Sequence, residues 1–180
     1  MLTGSYLSHA QDVFSNKTNT ALEKVIKDFP NRFRNIKGEL IVQRPQTVEY
    51  RSTIQVPGSS SCTVTRYVAS NSDAYSWSCT AAENRDFNLA RLKFKEIYEQ
   101  IENTIIKIDG EKPFILSGQY KTPQEERKAT TIIFELLPAV GDMKKLKIEL
   151  TLQNIGNSWK VALNAFDVTL SEAQSTASNN

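Results

Sequence analysis

The chain has 180 residues, 39% of them hydrophobic, and 22 Lys+Arg stand against 20 Asp+Glu for a formal charge of +2. That length suits one domain, or two small ones sharing a core, and no apolar run approaches the ~20 residues of a membrane-spanning helix. A charge so nearly balanced gives no bulk electrostatic reason to bind nucleic acid, which calls for a clustered basic face.

Met1-Leu2-Thr3-Gly4-Ser5 lacks the basic start and apolar segment of a signal peptide. The expectation is a cytoplasmic protein, or an exported one whose removed signal Met1 replaces. Leu7, Ala10 and Phe14 then fall at helical spacing with Val13 beside them, followed by the polar break Ser15-Asn16-Lys17-Thr18-Asn19. Thr20-Ala21-Leu22-Glu23 has the form of a capping box. Leu22, Val25, Ile26 and Phe29 line one face until Pro30, so two short helices with a joint are expected, with one bent helix as the alternative. Phe33 and Ile36 are placed over the sheet from the connecting loop.

After Gly38 the period changes from helical to two. Glu39 to Gln43 reads as a first strand, and Arg44-Pro45-Gln46 turns the chain. Val48, Tyr50, Ser52, Ile54 and Val56 alternate with Thr47, Glu49, Arg51, Thr53 and Gln55, as in a half-buried antiparallel strand. Pro57-Gly58-Ser59-Ser60 is the next turn.

Ser61–Val68 and Ala74–Thr80 form a hairpin around the turn-rich loop Ala69 to Asp73. With Cys62 opposite Cys79, Val64 faces Trp77 and Arg66 faces Tyr75. One side of the hairpin then carries Cys62, Val64, Tyr75, Trp77 and Cys79, and the other Thr63, Thr65, Ser76, Ser78 and Thr80. A one-residue slip would scramble that segregation. Opposed residues of an antiparallel pair lie within disulfide range, so a Cys62–Cys79 disulfide is expected, with two buried thiols as the alternative. Disulfides persist in oxidising compartments. A secreted or periplasmic location is therefore favoured over a cytoplasmic one.

Asp86 to Ile108 carries the longest helical pattern. Phe87, Ala90, Phe94, Ile97, Ile101, Ile105 and Ile108 recur at steps of three and four, with Asp86 as cap and Asp109-Gly110 as the stop. Pro113 to Lys121 is the next strand, with Gly118 a bulge or close-packing point. Ala129 to Leu137 is almost continuously apolar, as a strand buried on both faces would be. Leu146, Ile148, Leu150 and Leu152 alternate with polar residues, and Gly156-Asn157 signals a hairpin that sets Leu152 against Val161, Leu150 against Leu163 and Ile148 against Ala165.

The order is helix and four strands, then helix and four strands again. Residues 1–170 are expected to form a single α+β domain of two structural repeats, about 1–82 and 83–170, with 171–180 as a disordered tail. Antiparallel sheet, one or two, would carry the helices on one face and leave a polar face rich in Thr, Ser, Gln and charged side chains. This arrangement resembles the tandem helix-plus-four-strand fold of the β-lactamase inhibitory proteins, whose first helix is also broken into a helix-loop-helix. The resemblance lies in topology and transfers no functional residues.

The lone His9 cannot build a histidine-rich metal site, and no phosphate-binding glycine loop, G-x-G-x-x-G or G-x-S-x-G motif occurs. No cofactor, metal or catalytic residue is indicated. Glu125-Glu126 beside Arg127 and Lys128 reads as solvated turn charge, and Glu96, Glu99 and Glu102 as an exposed helix face. Asn16-Lys17-Thr18 matches the N-glycosylation pattern. Trp77 and Trp159 read as core. Tyr67 shares the polar face with Thr63 and Thr65, where packing gives no reason for an aromatic ring. The expected function is a non-enzymatic, exported binding module that uses Tyr67, Thr65 and Thr63 to engage another protein or an envelope component. The alternatives are a small-molecule or lipid carrier with a cavity lined by Phe94, Ile97, Phe134 and Trp159, and an enzyme with an unrecognised carboxylate site.

Overall fold

A computed structural model describes residues 17–68, 73–108 and 110–168 of the chain. His9, the apolar residues Leu7 to Phe14, Asn16 of the glycosylation pattern and the tail 171–180 lie outside the described residues. Helix α1 spans Lys17–Asp28 and ends in a short 3-10 turn, Phe29–Asn31. Strands β1 (Lys37–Gln43), β2 (Thr47–Ser52), β3 (Ser61–Tyr67) and β4 (Ala74–Asn84) follow. Helix α2 (Phe87–Ile101) leads to β5 (Ile105–Ile106), β6 (Phe114–Ser117), β7 (Ala129–Leu137), β8 (Leu146–Ile155) and β9 (Ser158–Asp167).

The strands make one antiparallel sheet of nine in the order β1-β2-β3-β4-β9-β8-β7-β6-β5, so the fold is α+β. Each half of the chain is a meander, and the two join where β4 pairs with β9. The β3–β4 register is the one the sequence predicts, with Cys62 opposite Cys79, Val64 opposite Trp77 and Arg66 opposite Tyr75. A disulfide joins Cys62 to Cys79, whose Cα atoms are 4.0 Å apart. The β8–β9 pairs Leu152–Val161, Leu150–Leu163 and Ile148–Ala165 also form as expected, and Gly156 takes the left-handed conformation that this turn requires.

Inward-facing Val64, Trp77, Cys79, Ile148, Leu150 and Leu163 share a core with Leu22, Val25 and Ile26 of α1 and with Phe94, Ile97 and Ile101 of α2. Phe33 and Ile36 are buried in it, as predicted. Asp28 holds the exit of α1: its buried carboxylate accepts from the Asn35 backbone and side chain and from the Ile36 backbone. Those bonds hold the loop through Arg32 and Phe33, both at positive φ, a conformation that costs non-glycine residues energy and that burial of the Phe33 ring offsets.

Several expectations need correction. Helix α2 stops at Ile101 rather than Ile108. Asn103 turns left-handed, its N–H donates to Leu116 O, and Leu116 N–H donates to Thr104 O. The β-branched run Thr104-Ile105-Ile106 is thereby captured as sheet, giving a ninth strand where eight were expected. Asp86 does cap the helix, accepting from the Asn88 and Leu89 N–H groups. Thr20 does not begin a helix, because α1 already runs through Lys17 to Asn19. The second strand ends at Ser52, where the Ser52 hydroxyl bonds both backbone groups of Ile54 and bends the chain. The strand expected over Pro113 to Lys121 contracts to Phe114–Ser117. Strand β7 is buried on one face only: Ile132, Phe134 and Leu136 point inward, while Ile133 and Leu137 are about half exposed.

Candidate binding face

The residues that alternate with the core positions make the second face of the sheet. One row crosses Glu49, Thr65, Ser76, Phe166 and Lys147 on β2, β3, β4, β9 and β8. The next crosses Arg51, Thr63, Ser78, Asn164, Glu149 and Ile133, reaching β7. Strand alternation thus places Thr63, Thr65 and Tyr67 on a common face, each half-buried, and the disulfide at Cys62 fixes the register that puts them there.

Tyr67 lies opposite Ala74 and diagonal to Ser76, whose hydroxyl reaches the Tyr67 hydroxyl at 3.4 Å. Phe166, directly across from Ser76, is a second half-buried ring on this face. In the sequence, its alternation with Val161, Leu163 and Ala165 is the signal that marks it.

A polar relay crosses the centre. Ser78 Oγ donates to Asn164 Oδ1 at 2.7 Å, and Asn164 Nδ2 donates to Glu149 Oε1 at 3.3 Å. Burial between Asn164 and Ile133 pushes the Glu149 carboxyl above the ordinary carboxylate range, and the Asn164 bond partly offsets this. Glu135, one row along on β7, is held by Lys147 at 3.3 Å. The Ser78 hydroxyl is thus tied to an amide oxygen rather than to a base, so the relay sets side-chain positions and does not activate a nucleophile. Asn164 and Glu149 join this site only through the long-range β4–β9 pairing, which local sequence does not reveal.

The other residues weighed from sequence lie elsewhere. Glu125 and Glu126 are exposed in a turn, and Lys93–Glu96 and Lys95–Glu99 pair along an exposed flank of α2. Trp77 and Trp159 are both buried. Arg66 points to the helix-covered side, where its Nε meets Asp73 Oδ2 at 2.7 Å, and that bond and charge raise its pKa. Among the described residues no group of three His, Cys, Asp or Glu side chains is placed to hold a metal ion, and no helix is long and apolar enough to cross a membrane.

No protein-family model matches this chain, and no curated protein or solved structure matches it.

Proposed function

We propose that the chain is a non-enzymatic binding module, exported from the cytoplasm, whose protein partner docks on the sheet face that carries Tyr67, Thr65 and Thr63. The observation that carries this reading is the presence of two rings, Tyr67 and Phe166, half-buried among Ser, Thr and Asn side chains where no described helix packs. An aromatic body with a polar surround is the composition of a recognition patch. The strands beneath it are braced by a core and a disulfide, so contact residues are held before a partner arrives. The two meanders read as two helix-plus-strand units of one domain, the topology that resembles the β-lactamase inhibitory proteins. The carrier reading is less favoured. Tyr98 packs on Tyr120 and Phe134, with centroids 4.9 and 5.7 Å away, and Phe87 packs on Trp159 at 4.9 Å, so rings occupy the space a ligand would need.

The test is photo-crosslinking from position 67 in the native cells, followed by affinity measurement on the captured partner with the Tyr67→Ser and Thr65→Ala variants. Both should fold as the parent does and bind at least about tenfold more weakly, as loss of an interface aromatic commonly does. Variants that bind with parental affinity would remove this face as the site. Export is tested separately by thiol blocking of protein taken directly from its cells. Cys62 and Cys79 should stay unlabelled until reductant is added, and labelling without reductant would overturn the location.

A further inference from the structure

The centre of the open sheet face holds a carboxylate without a cation. Glu149 lies between Asn164 on β9 and Ile133 on β7, with Phe166 diagonal to it on the same face. The Ser78–Asn164–Glu149 relay commits Oε1, and among the described residues Oε2 has no hydrogen-bond partner. Two other carboxylates of this face each hold a cation: Glu49 meets Arg44 Nη1 at 2.8 Å, and Glu135 meets Lys147 Nζ at 3.3 Å. Lys147, the nearest cation along β8, is thereby engaged. Arg51 stands four strands away at the far end of the same row, roughly 19 Å off. Burial without a counter-charge raises the Glu149 pKa, and the Asn164 bond is what opposes it.

We propose that Glu149 and Phe166 receive an arginine side chain of the protein partner, its guanidinium donating to Oε2 and its flat side lying on the ring. This rests on the reading of the open face as a docking face and names the group that the partner brings to it. A partly desolvated carboxylate with no counter-charge is costly, and a cation arriving with the partner removes that cost on docking. Arginine suits the place better than lysine. Its planar fork matches a carboxylate edge and its weakly hydrated face accepts an aromatic ring, whereas an ammonium would have to shed a tight water shell between Phe166 and Ile133. The relay holds the carboxylate in position before contact, so little side-chain freedom is lost there on binding. Phe166 lies across from Ser76, whose hydroxyl reaches that of Tyr67, so the cation site is continuous with the aromatic patch.

The test is a titration of the full chain followed by its backbone amide NMR spectrum. The probes are N-acetyl-arginine amide, its uncharged analogue N-acetyl-citrulline amide, and N-acetyl-lysine amide. The arginine probe should shift the Ile133, Glu149, Asn164 and Phe166 amides saturably, and the citrulline probe at equal concentration should leave them in place. Glu149→Gln should weaken the arginine probe about tenfold or more, the effect of losing a hydrogen bond to a charged group. Phe166→Leu should weaken it about two- to fivefold through the lost ring contact and leave the lysine probe unchanged. The proposal is overturned if citrulline or lysine binds as well as arginine, or if Glu149→Gln binds arginine as the parent does. On the partner captured from position 67, Glu149→Gln should also weaken binding about tenfold or more. A partner that Tyr67→Ser weakens and Glu149→Gln does not would overturn the arginine contact and leave the docking face standing. A partner indifferent to both variants would remove the face, and this proposal with it.

Discussion

The two faces of the β3–β4 hairpin share one backbone and one register, yet the side chains on them do opposite work. On the helix-covered face Val64 and Trp77 face each other with no exposed surface, and the Trp77 Nε1–H donates to the Ser52 hydroxyl at 3.0 Å. One residue along, Thr65 and Ser76 face each other half-buried, with Tyr67 and Phe166 beside them. Around Val64 and Trp77 the first face is fully buried, so loss of either side chain registers as stability. The second is half-buried and can be altered without opening a cavity in the core, so folding constrains its side chains less.

Trp77→Ala should break that contrast hardest, because it empties the centre of the covered face. A cost of about 3–5 kcal/mol is expected from lost burial and the cavity left behind, read as a shift in urea midpoint. Gly118→Ala comes next and fails from overfilling. A Cβ at Gly118 would sit 2.7 Å from Phe134 Cδ1, inside contact distance of a ring that is itself fully buried. About 1–3 kcal/mol of destabilisation is expected; a wild-type midpoint would mean that the ring moves aside at no cost. On the other face, Tyr67→Ser should change stability by no more than about 0.5 kcal/mol while weakening the proposed partner binding about tenfold or more. A large stability loss there would make Tyr67 a packing residue and erase the distinction between the faces.

The register of this hairpin was legible because two independent signals agreed: the cysteine positions and the segregation of apolar from hydroxyl side chains. Gly118 was legible as a close-packing point, which its approach to Phe134 bears out. The end of α2 was not, since Ile101, Ile105 and Ile108 continue the helical spacing even after the backbone has left the helix at Ile101. The β-branched run that competes with the helix there is decided by the backbone bonds between Asn103, Thr104 and Leu116, a tertiary fact. Strand β7 misled for a different reason. Ile133 and Leu137 are as apolar as the inward residues they alternate with, and Leu137 joins Ile115 and Ile105 in an exposed row at the far end of the sheet. Composition does not tell the covered face from the open one when both are apolar. Thr63, Thr65 and Tyr67 followed from local alternation; Phe166, Asn164 and Glu149 entered only once β9 was known to lie beside β4.

The finest probe of the contrast is Glu149, among the described residues the one carboxylate on the open face whose pKa burial clearly raises. A carboxyl with a folded-state pKa above its ordinary value near 4.5 holds more protons folded than unfolded between those two pKa values. Stability from this group is therefore intact below the ordinary value and declines as pH rises through the raised one. Glu149→Gln keeps an oxygen to accept from Asn164 Nδ2 and removes the charge that burial penalises. The variant should match the parent near pH 4 and exceed it at pH 7 by a few tenths of a kcal/mol, the scale of a half-exposed site. The quantity to read is the difference between the two urea midpoints at each pH, which cancels the titration of every other group. A variant that gains nothing at pH 7 would show that solvent reaches Glu149 freely, and the open face would then have no desolvated carboxylate to present to a partner. A gain accompanied by weaker partner binding would mean that the charge is kept at a cost in stability because the partner uses it.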